Sequence, residues 1–151
     1  INFYFIKEID NLIKNNVKIN VIGNIKILPT KVRSCLIESM RKTKKCNKIL
    51  VNLAINYGSH NEIIEATKHV KRKKLMINVK NLQKNLYTKN LPNPDILIRT
   101  GGKKRLSNFL LWQIAYTEIY FVNKLWPDFN IMDYKKIINN FKNVKRNFGN
   151  I

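Results

Sequence analysis

The stretch Pro94 to Phe129, PDILIRTGGKKRLSNFLLWQIAYTEIYFVNKLWPDF, constrains this chain more than any other. The run Asp95-Ile-Leu-Ile-Arg-Thr100 leads straight into Gly101-Gly102, a pattern that predicts a buried strand breaking into a loop, with Arg99 where the strand runs out. Arg105 and Ser107 follow, and from Asn108 the run Phe-Leu-Leu-Trp-Gln-Ile-Ala-Tyr is apolar enough for a buried helix with Ser107 at its N-cap. Two arginines, a hydroxyl, two glycines and a helix start would then converge. Free backbone N–H groups and the positive end of a helix favour phosphate, and arginine forks add charge-assisted hydrogen bonds, so a diphosphate is the natural ligand. The same spacing suits two surface arginines beside an ordinary strand-to-helix turn, and the residues alone leave both readings open.

The rest of the chain alternates strand and helix signals. Phe5, Ile6, Ile9, Leu12 and Ile13 form one helical stripe over residues 3 to 16, and β-branched Val17–Ile22, bounded by Gly23, reads as a strand. Pro29 opens a second helix with Val32, Cys35, Leu36 and Met40 on one face. Ile49 to Asn56 is nearly continuous in apolar residues, as in a strand covered on both sides, and ends at Tyr57-Gly58. Ser59 and Glu62 predict a capping box for a helix through Glu65, Ala66 and Val70, with Lys71 to Lys74 at its negative end. Ile77 to Leu91 reads as a further short helix, capped by Asn78, with Val79, Leu82 and Leu86 on one face. Trp126-Pro127-Asp128-Phe129 is a turn, and Tyr134, Ile137, Ile138, Phe141 and Val144 mark a last amphipathic helix. This order predicts one domain over residues 1–151: an open, mostly parallel α/β sheet with helices on both faces, shortened on its N-terminal side. Ligands of such sheets bind outside the carboxyl ends of the strands, where Gly23, the Asn56-Tyr57-Gly58 turn and Arg99 would lie.

The net charge of +20 would by itself suggest a polyanionic partner such as nucleic acid or an anionic membrane surface. Lysine outnumbers arginine 23 to 6, however, and asparagine also reaches 23, so the charge reads as a drift towards Lys, Asn and Ile along the whole chain. A nucleic-acid-binding module ranks below the other readings because the aromatics sit in apolar runs rather than between basic residues. Cys35 and Cys46 have neither metal-ligand nor disulfide-framework spacing, which suits a reducing cytoplasm. No apolar run reaches membrane-span length, and the opening Ile-Asn-Phe-Tyr-Phe-Ile is interrupted too soon to be a signal peptide.

The run IRTGGKKRLSNFLLWQIAYTEIYF followed by LWPDF resembles the C-terminal motifs of the cis-prenyltransferases, the family of undecaprenyl diphosphate synthase. Val21-Ile-Gly-Asn24 with Leu28-Pro29, Leu53-Ala-Ile-Asn-Tyr-Gly58 and Arg146-Asn-Phe-Gly149 are similar to that family too. The resemblance implies an enzyme that condenses isopentenyl diphosphate with an allylic prenyl diphosphate, using magnesium. It implies isopentenyl diphosphate binding by Arg99, Arg105 and Ser107, and a magnesium-associated carboxylate at Glu118. Arg146 matches the arginine that reaches the partner's diphosphate in family homodimers. Peripheral membrane contact for product release is a further expectation. Independently of the family, Glu118 is a lone acid in an apolar run, where it must be paired, bound to metal or placed at an edge.

The departures from the family pattern are specific. Lys103 stands where an acid is usual, Asn24 where aspartate is common, and Asn147 where a second arginine often follows the first. The Asp-Gly-Asn-x-Arg motif, which supplies the family's catalytic aspartate, is not among the 151 residues, so no catalytic residue is assigned. The alternative to an enzyme is a non-catalytic or degenerate member that keeps the dimer and isopentenyl diphosphate contacts.

Overall fold

The computed structural model describes residues 2–145, with side chains from residue 8 onward. The chain forms two compact units, Ile1–Lys89 and Asn90–Ile151. Both are α/β and built on parallel strands, as the sequence predicts, each unit holding one two-stranded parallel ladder.

The first unit runs α1 (Asn2–Lys14), β1 (Val17–Ile22), α2 (Thr30–Lys42), β2 (Ile49–Ala54), α3 (Ser59–Arg72) and α4 (Val79–Gln83). Asn16 turns the chain from α1 into β1 at φ +58, a left-handed conformation that asparagine adopts at modest cost. β1 and β2 pair in register from Val17↔Ile49 to Ile22↔Ala54, and α1 packs against α2 and β1. Ile9, Ile19, Ile22 and Leu36 are buried between them; Leu36, fully enclosed, contributes about 2–3 kcal/mol. The Thr43 hydroxyl at the end of α2 donates to the Ser39 carbonyl and accepts from the Ile19 N–H, satisfying a strand-edge donor. β2 departs from expectation: Ile49 and Leu50 are exposed, and only Val51 and Leu53 are half-buried. Among the described residues of this unit, β2 pairs with β1 alone.

α3 and α4 close a second cluster of Ala66, Val70, Leu82 and Leu86. The capping box expected at Ser59 is replaced by something else, because Gly58 occupies the cap position and Ser59 is the first helical residue. The Glu62 carboxylate is buried; it accepts from the Tyr57 hydroxyl at 2.5 Å and from the Tyr87 backbone N–H at 2.7 Å. Burial and the negative charge of Glu62 and Glu65 push the Tyr87 phenol up. Replacing Glu62 with Gln is expected to cost about 1–2 kcal/mol, because the amide turns a donor towards one of its two buried donors. Urea unfolding measures this, and an unchanged midpoint would dismiss the bridge as a stabilising contact. α4 is shorter than predicted and leaves Val79 exposed, although Asn78 caps it by accepting from the Asn81 N–H at 2.8 Å.

In the second unit, β3 (Ile96–Arg99) and β4 (Glu118–Phe121) pair in parallel from Ile96↔Glu118 to Arg99↔Phe121, followed by α5 (Ile131–Lys142). The helix expected from Asn108 is absent. Residues 107–117 form successive turns, with Ser107, Asn108 and Leu110 at φ +51, +60 and +47, and left-handed residues cannot continue a right-handed helix. The hydroxyl of Ser107, the expected N-cap, accepts from Arg99 instead. α5 carries the capping box that the sequence reading placed elsewhere, with Asn130 and Asp133 exchanging side-chain-to-backbone bonds.

Candidate functional site

The loop after β3 is fixed by its backbone. Gly101 N–H donates to the Lys124 carbonyl at 2.8 Å, Gly102 N–H to Val122 at 3.0 Å, and Val122 N–H to Arg99 at 2.8 Å. These bonds continue the ladder past β3 and β4, and the positive φ of Gly101 (+87) and Gly102 (+71) lets the chain turn there. Lys124 also bonds Asp133 through its ammonium at 2.8 Å, so the α5 cap and the glycine loop share one anchor. Lys124, then the Asn130 N–H, holds the Asp133 carboxyl below the usual carboxylate range.

Arg99, half-buried at the end of β3, reaches across the loop. One guanidinium nitrogen donates to the Arg105 carbonyl and to the Ser107 hydroxyl, the latter at 3.0 Å. The structure thus gathers Arg99, Arg105 and Ser107 at one loop, and Lys103, Lys104 and Arg105 are exposed beside it. The backbone itself offers an anion little here. There is no helix start at Ser107, and the Gly101 and Gly102 N–H groups are spent on carbonyls, so side-chain cations and a hydroxyl carry the attraction for an anion.

Glu118 is not in this cluster. It opens β4 opposite Ile96, three register steps from the Arg99↔Phe121 pair, or about 10 Å along the ladder. Its side chain is half-buried, with no hydrogen-bond or ion-pair partner for its carboxylate among the described residues. No group of three potential ligand residues forms a metal cage among the described residues. A free carboxylate does fit magnesium that keeps waters and takes its other oxygens from a phosphate-bearing substrate. Arg146 lies outside the described residues.

A second concave feature, which the sequence does not announce, lies in the first unit. Gly23 and Asn24 follow β1 and Asn56 follows β2, at the carboxyl ends of the strands as expected. Asn56 donates its amide to the Asn24 carbonyl at 2.8 Å and accepts from the Asn24 N–H at 3.2 Å. Beside this clasp is a pocket of about 340 Å³ lined by Gly23, Asn24, Lys26, Glu62, His69 and Tyr87 among others. The Ser-x-x-Glu spacing marked Glu62 for a helix cap and so concealed its place here.

Residues 2–149 match the family model described as "Putative undecaprenyl diphosphate synthase". The isoprenyl transferase of Rickettsia sibirica is 43% identical over 150 residues, covering 99% of this chain and 66% of the relative. The chain thus spans just under two thirds of that relative's length. A crystal structure of a probable undecaprenyl diphosphate synthase from Campylobacter jejuni superposes with a TM-score of 0.90 at 43% identity, over 99% of this chain and 71% of that one. Lavandulyl diphosphate synthase from Lavandula x intermedia, in complex with dimethylallyl diphosphate, gives 0.91 at 28% identity over 99% and 68%.

Proposed function

The chain belongs to the undecaprenyl diphosphate synthase family, and from that premise we propose that it provides the isopentenyl diphosphate site of a cis-prenyltransferase. The observation that carries this reading is the Arg99 bridge, which holds Arg105 and Ser107 on a loop with two further lysines. Arg99, Arg105 and Ser107 bind the diphosphate of isopentenyl diphosphate. An allylic diphosphate then loses its diphosphate, which departs with the C–O electron pair. The alkene of isopentenyl diphosphate attacks the allylic carbon, and a proton leaves the new unit. This chain's residues orient the isopentenyl group and balance the charge of its diphosphate. Glu118 would hold magnesium, which when bound would supply positive charge to offset that of a departing diphosphate.

We further propose a homodimer, in a cytoplasmic setting, with Arg146 serving the partner's site. Leu125, Trp126, Ile131, Met132 and Tyr134 are exposed in the second unit, and clustered apolar surface of that kind favours a partner. Radiolabelled isopentenyl diphosphate incorporation with an allylic primer, beside the mass in solution, tests both proposals. In an enzyme that also carries the Asp-Gly-Asn-x-Arg motif, Glu118→Gln is expected to lower turnover and blunt its magnesium dependence, while isopentenyl diphosphate affinity by calorimetry stays close to wild type. Retained magnesium dependence at full turnover would remove Glu118 from the site, and a monomer that is fully active would remove the homodimer.

A further inference from the structure

No acidic residue occurs between Glu65 and Asp95, while Lys68, Lys71, Arg72, Lys73, Lys74, Lys80, Lys84 and Lys89 all fall there. In the middle of this interval the structure exposes four aliphatic side chains in close succession: Leu75 (45%), Met76 (75%), Ile77 (63%) and Val79 (65%). The turn that carries them is tightly built. Lys74 is left-handed at φ +54, its N–H donates to the Lys71 carbonyl at 2.9 Å, and the Leu75 N–H reaches back to Val70 at 3.1 Å. This is the Schellman closure of α3. On the far side the Asn78 cap starts α4, and the Asn81 amide donates to the Met76 carbonyl at 2.8 Å. The turn is therefore pinned at both ends, with its apolar side chains exposed and exposed basic residues, Lys71 to Lys74 and Lys80, flanking them in the sequence.

We propose that this corner docks the protein on an anionic lipid surface, with Met76, Ile77 and Val79 entering the headgroup layer and the surrounding lysines meeting lipid phosphates. It gives a place to the membrane contact that the family resemblance implies, yet it rests on this turn alone and stands whether or not the chain transfers prenyl groups. Exposed aliphatic side chains with lysines beside them in the chain are what an interfacial anchor combines. Nucleic acid is a poorer fit, because the tip offers no aromatic ring for bases to stack on and only one arginine. A second copy of the chain is poorer still, since a symmetric contact would set these flanking lysines against their own copies.

Flotation with phosphatidylcholine vesicles, with and without a third of the lipid as phosphatidylglycerol, tests the proposal on the purified protein. Binding should require the anionic lipid and weaken with salt. Met76→Asp with Ile77→Asp should reduce it by roughly tenfold or more. Lys73→Gln with Lys80→Gln should reduce it less and flatten the salt dependence. Ile37→Asp, an exposed position on α2, should leave it unchanged. As a gain-of-signal check, Ile77→Trp should shift its fluorescence to the blue when anionic vesicles are added. Equal binding to neutral vesicles, no loss in the double aspartate variant, no blue shift, or retention on RNA without vesicle binding would each overturn the proposal.

Discussion

Arg99→Ala is expected to weaken isopentenyl diphosphate binding by about a hundredfold, and more than Arg105→Ala does. A hydrogen bond to a charged group contributes about 1.5–3 kcal/mol, and 1.4 kcal/mol is a factor of ten in affinity. Arg105 is exposed at the loop, so its removal costs one such contact, about tenfold to a hundredfold. Arg99 has two roles: it offers its own donors to the diphosphate, and it fastens the loop by bonding the Arg105 carbonyl and the Ser107 hydroxyl. Without that fastening, the loop must be ordered by the ligand at the ligand's expense. Arg99→Lys discriminates between the roles, because an ammonium keeps the charge but lacks the planar fork that meets two acceptors together. Its affinity should fall between alanine and wild type. Calorimetric titration of each variant, with the fold checked by circular dichroism, gives the comparison, and equal affinities for Arg99→Ala and wild type would sink the anion-site reading.

Local periodicity made much of this fold legible. Val17–Ile22 is bounded by Asn16 and Gly23, both with positive φ, and the structure starts and stops β1 at the residues the sequence indicates. The second strand was legible as a strand but not in its burial, because a run such as Ile49-Leu50-Val51 records apolarity and not which neighbours cover it. The misread segment is Ser107–Tyr116. Its composition suits a buried helix, and the deciding contact is non-local: the Arg99 side chain takes the Ser107 hydroxyl that a helix cap would have used. Glu62 failed for a related reason. Three-residue spacing from Ser59 is a local signal, whereas the Tyr87 N–H that claims its carboxylate lies 25 residues away. In the site, spacing brought Arg99, Arg105 and Ser107 together correctly, since all lie on one short loop. It could not reveal that Glu118 sits at the far end of the ladder, because that follows from the parallel register.

Gly23→Ala should cost about 3 kcal/mol or more, whereas Gly101→Ala should cost only about 1 kcal/mol. Both glycines have positive φ, +112 and +87, so both carry a conformational cost when a Cβ is added. Space separates them. A Cβ on Gly101 would meet nothing within 4 Å, whereas one on Gly23 would lie 2.2 Å from the Ile55 carbonyl oxygen, 3.1 Å from the Asn56 carbonyl and 3.1 Å from the Tyr57 Cβ. Those obstacles are mostly backbone, and that backbone is tied down: Ile55 donates to Ile22 at 2.9 Å, and Asn24 and Asn56 clasp each other. Relief therefore requires the end of β2 to move away from β1, breaking the clasp and reshaping the pocket beside Glu62. For a chain of this length the loss corresponds to a drop of roughly 10 °C in Tm, against a few degrees for Gly101→Ala. Thermal unfolding of the two variants side by side makes the comparison, and shifts of equal size would mean that conformational cost alone, not the close approach of the two strand ends, accounts for glycine at position 23.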